Sequence, residues 1–431
     1  MIKRLGLTTA LFASLSLFAE FGVENSAKNN IAKPGETITF RAVDYPEGAG
    51  YVITKNGKRV EAAPYGGGDV KFSSDEPAWI VFKVERPEKD KDGKTVWNKR
   101  ETGVVVAPEK MAPATSAPKN LDAFWAKIKK DVEKRSAAHP KLEKLRDYPA
   151  QPGKHAVTLY TFEIDVDGGE DGTCDGGRAD GYLAIPSDKG GKMPIVATFY
   201  GAGSFGADLR DALNYAQEGA IGISMNPHSI PNTLKGQERE KFRREVLDAP
   251  GKNYRMWGID DTPEKNYFVG MFKRVYQTLR VAMARPEWDG KNMAVRGFSQ
   301  GGAQTIAAAY LCPKVTAIAP LCPAMCDNGA ESLGRRSGWP DWVNGKTGFE
   351  KRLENGKYFD PALFAKKIRA EMYLGIGLLD NTCTPTAVTA MYNSYAGKKQ
   401  KMYMQGVGHG WNDDWSKGER DFILRRMGLR K

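Results

Sequence analysis

A glycine-flanked serine at residues 297–302 constrains the fold of this chain more than any other segment. It reads GFSQGG, follows a short apolar run at 293–295, and precedes a run of small residues at 303–309. A glycine two residues to either side of Ser299 leaves room for a sharp turn with strained backbone angles. The small residues that follow predict a helix that packs closely against a sheet. The segment therefore predicts a strand, a tight turn that presents a serine hydroxyl, and a helix.

Apolar runs alternate with helical patterns from about residue 155 onward. Strands are predicted at 155–166, 181–185, 194–199, 220–224, 293–295, 315–318, 372–376 and 402–404. Helices are predicted after Asn120 and from Pro263, where apolar residues recur at helical spacing. Buried strands separated by helices are typical of a mostly parallel sheet covered on both faces. With the turn at Ser299, this pattern predicts an α/β-hydrolase fold for residues 119–431.

The first quarter of the chain has a different character. Residues 1–19 combine a basic start with a short apolar run, which predicts a secretory signal peptide and a secreted or periplasmic protein. Residues 20–107 hold short alternating strands, with an Asn56-Gly57 pair that favours a hairpin turn. This spacing predicts a small all-β, immunoglobulin-like sandwich, with a role either in contacting carbohydrate or as a spacer. The proline-rich residues 108–118 predict a linker.

A serine needs a base and an orienting acid to become a nucleophile. His409 is the only histidine after Ser299, and glycines flank it. Of the aspartates between them, Asp380 directly follows a predicted strand, and the order serine, acid, histidine is the one this fold uses. Asp360 is the alternative acid, although its place before Pro361 also suits a helix cap. The sequence therefore predicts Ser299, Asp380 and His409 as catalytic residues.

An oxyanion hole needs two backbone N–H groups directed at the developing negative charge. One is predicted from Gln300, the residue after the nucleophile. The other is predicted from Tyr200, which opens a glycine-rich loop after the strand at 194–199. The alternative is that this loop is an ordinary glycine turn. Trp257 and Trp339 are predicted to line a sugar cleft, with packing as the competing interpretation.

Charge and cysteine content argue against several other function classes. The net charge is +12, but basic and acidic residues are intermixed, which indicates a solvated surface and not a nucleic-acid site. Five scattered cysteines form no disulfide framework, and buried free thiols are an equal alternative to at most two bridges. The four histidines are far apart, which argues against zinc. No stretch after the leader is long enough to insert into a membrane.

Two motifs resemble the acetyl xylan esterase and cephalosporin C deacetylase family, carbohydrate esterase family seven. Residues 296–302, RGFSQGG, resemble its nucleophile turn, and residues 377–385, GLLDNTCTP, resemble its acid loop. The similarity covers about residues 119–431, and Tyr200 falls where the family places its oxyanion-hole tyrosine. The resemblance implies removal of acetyl groups from xylan, xylo-oligosaccharides or other acetylated sugars. It also implies that no metal or organic cofactor takes part and allows a homo-oligomer.

The chain departs from the family pattern at three places. Residues 225–228, MNPH, stand where the family usually has Arg-Gly-Gln, and Gly410 replaces a glutamate after the histidine. Many members also lack the β domain. Two other functions stay open at this point: a secreted serine peptidase or other carboxylesterase on the same fold, and a carbohydrate-binding protein that has lost activity.

Overall fold

The computed structural model describes residues 21–45, 47–135, 137–166, 177–203, 206–248, 253–343 and 348–430. The strands in these ranges are β1 Gly22–Asn25, β2 Ile31–Ala32, β3 Ile38–Val43, β4 Gly50–Lys55, β5 Lys58–Pro64, β6 Val70–Phe72, β7 Ala78–Lys89, β8 Thr95–Val106, β9 Lys141–Tyr148, β10 Val157–Asp165, β11 Arg178–Pro186, β12 Met193–Phe199, β13 Ile221–Met225, β14 Trp288–Phe298, β15 Ala317–Leu321, β16 Glu371–Gly377 and β17 Lys399–Met404. The α-helices are α1 Leu121–Arg135, α2 Leu209–Ala216, α3 Gly236–Phe242, α4 Tyr267–Met283, α5 Gln300–Leu311, α6 Phe349–Gly356, α7 Pro361–Phe364, α8 Pro385–Ser394 and α9 Asp413–Arg426. The predicted signal peptide lies outside the described residues.

The N-terminal part is a sandwich of two sheets. One sheet has the order β1-β3-β6, and the other has the order β2-β8-β7-β4-β5. All pairs are antiparallel except the short β2 beside β8. Alternate residues of β3, β7 and β8 lie in one shared apolar core, so the two sheets face each other across it. Phe40 of one sheet stacks on Phe82 of the other, with 5.1 Å between ring centroids.

The predicted hairpin turn joins β4 to β5. Asn56 and Gly57 have φ angles of 54° and 81°, which asparagine and glycine tolerate better than other residues. The next hairpin is longer than its sequence pattern suggested. Strands β7 and β8 each run for 12 residues, because the ladder continues into charged segments where apolar alternation is absent.

A nine-stranded mixed sheet forms the rest of the fold, in the order β17-β16-β15-β14-β12-β13-β11-β10-β9. Strands β12 to β17 are parallel, while β9, β10 and β11 are joined to the sheet by antiparallel pairs. This confirms the α/β-hydrolase type of sheet. Strand β9 was not predicted, because its residues are mostly exposed and charged.

Helices cover both faces of this sheet, since successive strand residues point to opposite sides. Val295 and Ile318 face the main core, which includes α4 and α5. Ala294 and Ala317 face the opposite core, which includes Phe422 of α9. Within the described ranges, no helix combines the length and the apolar character needed to cross a bilayer.

The start of α4 differs from its predicted position. The helix predicted from Pro263 begins at Tyr267, because Pro263–Lys265 form a separate 3-10 turn and Asn266 caps α4 by accepting from Phe268 N. The segment predicted as a linker contacts helix α8. The Asn393 side chain donates to the carbonyls of Pro108 and Met111, at 2.7 Å each.

Candidate active site

Ser299 lies on a strained turn between β14 and α5. Its φ and ψ angles are 60° and −119°, a conformation that L-residues rarely adopt. Ser299 N donates to Leu321 O at 2.9 Å, and its carbonyl accepts from Ala324 N at 3.0 Å, so both sides of the turn are fixed. A Cβ on Gly301 would lie 2.2 Å from Phe199 O. Only glycine allows this approach, which explains the small residues of the motif.

The structure brings the predicted serine, histidine and acid into one hydrogen-bonded chain. His409 Nε2 lies 2.8 Å from Ser299 Oγ, and His409 Nδ1 lies 2.8 Å from Asp380 Oδ2. Because a carboxylate only accepts, the proton lies on Nδ1, and Nε2 is left to accept from the serine hydroxyl. Such a chain converts an alcohol into a nucleophile.

Asp380 is held rigidly for this contact. The residue is fully buried. Its Oδ1 atom accepts from Thr382 N at 2.7 Å and from Cys383 N at 2.9 Å. These bonds leave Oδ2 directed at the imidazole, so the carboxyl orients the ring and stabilises its positive form.

The alternative acid lies elsewhere. Asp360 caps α7, and its carboxylate accepts from the N–H groups of Ala362, Asp327 and Asn328 at 2.8–2.9 Å. Burial, reinforced by Asp327, raises the pKa of Asp360 to about 7. It therefore has the capping role that the following proline indicated.

The Tyr200–Gly201 backbone and the start of α5 both lie next to Ser299. A Cβ on Gly201 would contact the Ser299 Cβ at 3.7 Å. Gln300 is the first residue of α5, where N–H groups have no partner within the helix and the dipole favours negative charge. Gln304 Nε2 donates to Tyr200 O at 2.9 Å and ties the loop to α5. The arrangement suits anion binding beside the serine.

A charged network that the sequence reasoning missed anchors the Tyr200 side chain. Its hydroxyl donates to Asp211 and accepts from Asp208 N at 2.7 Å. Arg296 contacts Asp211 at 3.4 Å and forms a two-pronged pair with Glu419, at 2.8 and 2.9 Å. Burial and Asp211 raise the pKa of Tyr200. The arginine within the nucleophile motif was the sequence signal for this network, but its partners are distant in sequence.

His228 stands at the place where the chain departs from the family motif. It is fully buried, its Nδ1 lies 3.0 Å from the Tyr267 hydroxyl, and it interacts with the Gly203 backbone of the Tyr200 loop. Burial and the nearby Arg274 lower the pKa of His228 to about 3. A neutral imidazole therefore lies against the loop that begins at Tyr200.

Comparison with known proteins decides the family. The sequence model of the acetyl xylan esterases matches residues 109–420, which is most of the chain. The chain belongs to the acetyl xylan esterase family. Both the resemblance read from the motifs and the assignment as a carboxylic-ester hydrolase are therefore confirmed.

Individual family members agree with this assignment. The chain is 28% identical to the acetyl esterase Axe7A of Xylanibacter ruminicola over 324 residues, covering 73% of this chain and 68% of that protein. Two solved acetyl xylan esterases, from Thermoanaerobacterium sp. and Paenibacillus sp. R4, share the fold at 22% identity. Their TM-scores are 0.59 and 0.61, and each match covers 74% of this chain and 97% or 98% of theirs.

Two aromatic side chains lie next to His409 of this esterase. Trp411 is 58% exposed, and its ring lies 5.4 Å from Phe298, which in turn lies 4.7 Å from the His409 ring. Trp339 lines a separate cavity of about 440 Å³ together with Asn381 and Thr382 of the acid loop. Trp257, the other predicted sugar contact, stacks on Tyr267 at 5.7 Å.

Three buried cysteines lie near one another, and one of them contacts the nucleophile. Cys322, Cys326 and Cys383 are buried, and with Cys312 they are free among the described residues. Cys383 contacts the Ser299 side chain, and donor atoms of Cys322, Asp380 and His409 lie within 4.8 Å of one another. Burial, then Asp380, raises the pKa of Cys322, which keeps the thiol protonated. Both ring nitrogens of His409 are already engaged with Asp380 and Ser299, so this set fits the hydrogen-bonded chain better than a metal site.

Proposed function

We propose that this esterase removes acetyl groups from acetylated xylan, xylo-oligosaccharides or related acetylated sugars, with Ser299 as its nucleophile. The observation that carries the proposal is the unbroken chain from Ser299 through His409 to Asp380, with 2.8 Å at each step. The named activities of the relatives support the acetyl ester as substrate. No metal or organic cofactor is required for this reaction.

The first half of the reaction transfers the acetyl group to the enzyme. Ser299 Oγ attacks the ester carbonyl while its proton moves to His409 Nε2, and Asp380 stabilises the imidazolium. The N–H groups of Tyr200 and Gln300 stabilise the oxyanion of the tetrahedral intermediate. When this intermediate collapses, His409 gives its proton to the departing sugar oxygen, and an acetyl-serine remains.

The second half returns the free enzyme. Water gives a proton to His409 and attacks the acetyl-serine carbonyl, and the same N–H groups stabilise the second oxyanion. Collapse releases acetate, and His409 returns the proton to Ser299 Oγ. The buried Asp380 favours both halves, because in each one His409 becomes positively charged.

Two aromatic side chains, Trp339 and Trp411, are the proposed contacts to the sugar. Trp339 lines a cavity whose other members include Asn253, Arg255 and Asn381, groups that donate hydrogen bonds to sugar hydroxyls. Trp411 offers an exposed ring beside His409 for stacking on a sugar face. A sugar contact by Trp257 stays a prediction, since its ring is engaged with Tyr267.

Two further features belong to the proposal. The strand order of residues 20–107, with a short strand parallel to β8 completing one sheet, supports an immunoglobulin-like sandwich. The basic and apolar composition of residues 1–19 supports secretion or a periplasmic location. Assembly into a homo-oligomer stays a prediction.

Acetate release from acetylated xylo-oligosaccharide tests the proposed function. Ser299→Ala should abolish release while its thermal unfolding stays close to that of the parent, because the change removes one side-chain oxygen and leaves the backbone hydrogen bonds of the turn in place. A fluorophosphonate probe should label the parent at Ser299 and leave the variant unlabelled. Turnover of chromogenic peptides in preference to acetyl esters would favour a peptidase. A parent that neither reacts with the probe nor releases acetate would indicate an inactive carbohydrate-binding protein.

A further inference from the structure

The N-terminal sandwich contacts the loops that carry the acid and the histidine. Trp79 Nε1, in β7, donates to Leu378 O at 2.7 Å, and Leu378 lies two residues before Asp380. Gln405, four residues before His409, accepts from Gly103 N of β8 at 3.0 Å. One module therefore touches both catalytic loops, which follow two neighbouring strands of the other domain.

The contact with the acid loop is buried and close. Trp79 and Leu378 are both fully buried. Leu378 packs in a small apolar cluster with Val105 of the sandwich and Met111. A Cβ on Gly103 would come within 2.5 Å of Leu378 O and 3.1 Å of Leu378 Cβ. The sandwich backbone is therefore in close contact with the residues that directly precede Asp380.

The contact with the histidine loop is polar. The Gln405 amide donates to Thr102 Oγ1 at 2.9 Å and to Gly103 O at 3.0 Å. Its carbonyl oxygen also accepts from Gly406 N at 3.0 Å, so the side chain bridges β8 to the start of the loop that carries His409.

The two loops are also coupled to each other. Leu378 N donates to Met404 O at 3.0 Å, and Leu379 N donates to Val407 O at 2.9 Å. A Cβ on Gly377 would lie 2.1 Å from Gly408 O, so the loops pass with no free space between them. A displacement of Leu378 therefore reaches both Asp380 and His409.

We propose that the sandwich is an internal brace of the active site, in which Trp79, Gly103 and Gln405 are positioning residues for Asp380 and His409. The inference rests on the proposed function, since it gives these two residues their roles. The physical reason is that loops beyond strand ends are mobile unless tied, and small errors in catalytic geometry are costly. The brace ties both loops to one rigid pair of strands.

The experiment compares full-length variants that strain or remove the brace. Gly103→Ala places a methyl group against Leu378, Trp79→Phe removes the donated N–H, and Gln405→Ala removes the polar bridge at an exposed residue. Gly50→Ala is the matched control. Gly50 is a strand glycine of the same sandwich, and its added methyl group would meet only Ala63 O, at 3.5 Å.

We expect kcat for acetate release to fall about tenfold or more in Gly103→Ala and Trp79→Phe, and less in Gln405→Ala, with KM unchanged. Assays run well below each melting temperature separate this effect from unfolding. The far-downfield proton resonance of the hydrogen bond between His409 Nδ1 and Asp380 should broaden or shift in the brace variants. It should stay unchanged in Gly50→Ala.

Three outcomes would overturn the brace. Folded Gln405→Ala and Trp79→Phe variants with the parent kcat and the parent resonance would do so while leaving Ser299 chemistry intact. An equal loss of kcat in Gly50→Ala would reduce the effect to general destabilisation. An active Ser299→Ala variant would refute the proposed function, and the brace would then have no catalytic pair to position. If Ser299→Ala releases no acetate and the brace variants keep the parent kcat, the brace is refuted and the proposed function stands.

Discussion

Replacing Asp380 by asparagine tests the site most sharply, because the surrounding backbone dictates how the new amide must lie. Two N–H groups, from Thr382 and Cys383, donate to Oδ1 at 2.7 and 2.9 Å. The amide oxygen has to occupy that position, so the NH₂ group faces His409 Nδ1. His409 must then accept at Nδ1 and carry its proton on Nε2, where it cannot accept the proton of Ser299.

The magnitude follows from the cost of the opposite amide orientation. Turning the NH₂ group toward the two backbone N–H groups leaves both unpaired in a buried site, at about 1–3 kcal/mol each. The working tautomer is therefore populated in roughly one molecule in 30 to one in 10⁴. We expect kcat for acetate release to fall about 30- to 10⁴-fold, and the corresponding change in a serine protease triad costs about 10⁴.

Acetate release from acetylated xylo-oligosaccharide at pH 7 provides the assay, with Asp360→Asn as the control. Asp360 is as buried as Asp380 and also accepts from backbone N–H groups, but it lies at the cap of α7. Its replacement should lower the melting temperature and leave kcat of the folded enzyme within about threefold, since no reacting group contacts it. A folded Asp380→Asn variant that keeps more than a tenth of the parent kcat would refute the reasoning. So would a larger loss of kcat in Asp360→Asn.

Three further outcomes are expected. The pKa of His228 is lowered to about 3 in the folded protein, so between about pH 3 and pH 6.5 the unfolded chain binds one more proton at this residue. The contribution of His228 to the unfolding free energy should therefore fall by about 1.4 kcal/mol per pH unit as the pH drops below 6.5. The urea midpoints at pH 7 and pH 5 should differ less in His228→Gln than in the parent. Trp411→Ala should raise KM for acetylated oligosaccharide and leave the hydrolysis of p-nitrophenyl acetate nearly unchanged, because the small ester has no sugar ring to stack; a parallel loss on both substrates would contradict a sugar contact. Iodoacetamide should leave Cys312, Cys322, Cys326 and Cys383 unmodified in the folded enzyme and modify them after denaturation, because burial raises the pKa of each thiol, and peptide mass mapping checks this.

Local pattern predicted much of the fold and the three residues that the structure brings together at Ser299. The turn at Ser299 was predictable because its glycines, the strand before it and the helix after it are neighbours in sequence. The parallel strands were predictable because burial on both faces produces uninterrupted apolar runs. Strand β9 was not predicted, because a strand at an exposed edge of the sheet does not need apolar residues.

The sequence favoured Asp380 over Asp360 because Asp380 directly follows a predicted strand, and the tertiary structure shows the contact that this choice requires. Asp360 and Asp380 both precede helices and both are buried, so composition does not separate them. Only the packing of the histidine loop against the end of β16 shows that Asp380 meets His409. The partners of Tyr200 and Arg296 were equally out of reach, because Asp211 and Glu419 come from helices on the opposite face of the sheet from α5.

By itself, the sequence determined the order of strands and helices, the strained serine and the residue types that can activate it, because these depend on periodicity and on neighbours a few positions apart. The tertiary structure placed the predicted carboxyl against the imidazole and brought a separate β module into contact with both catalytic loops. The hydrogen bond from Trp79 to Leu378 joins residues 299 positions apart. A contact at that separation exists only when both domains have folded and packed, so no local pattern records it.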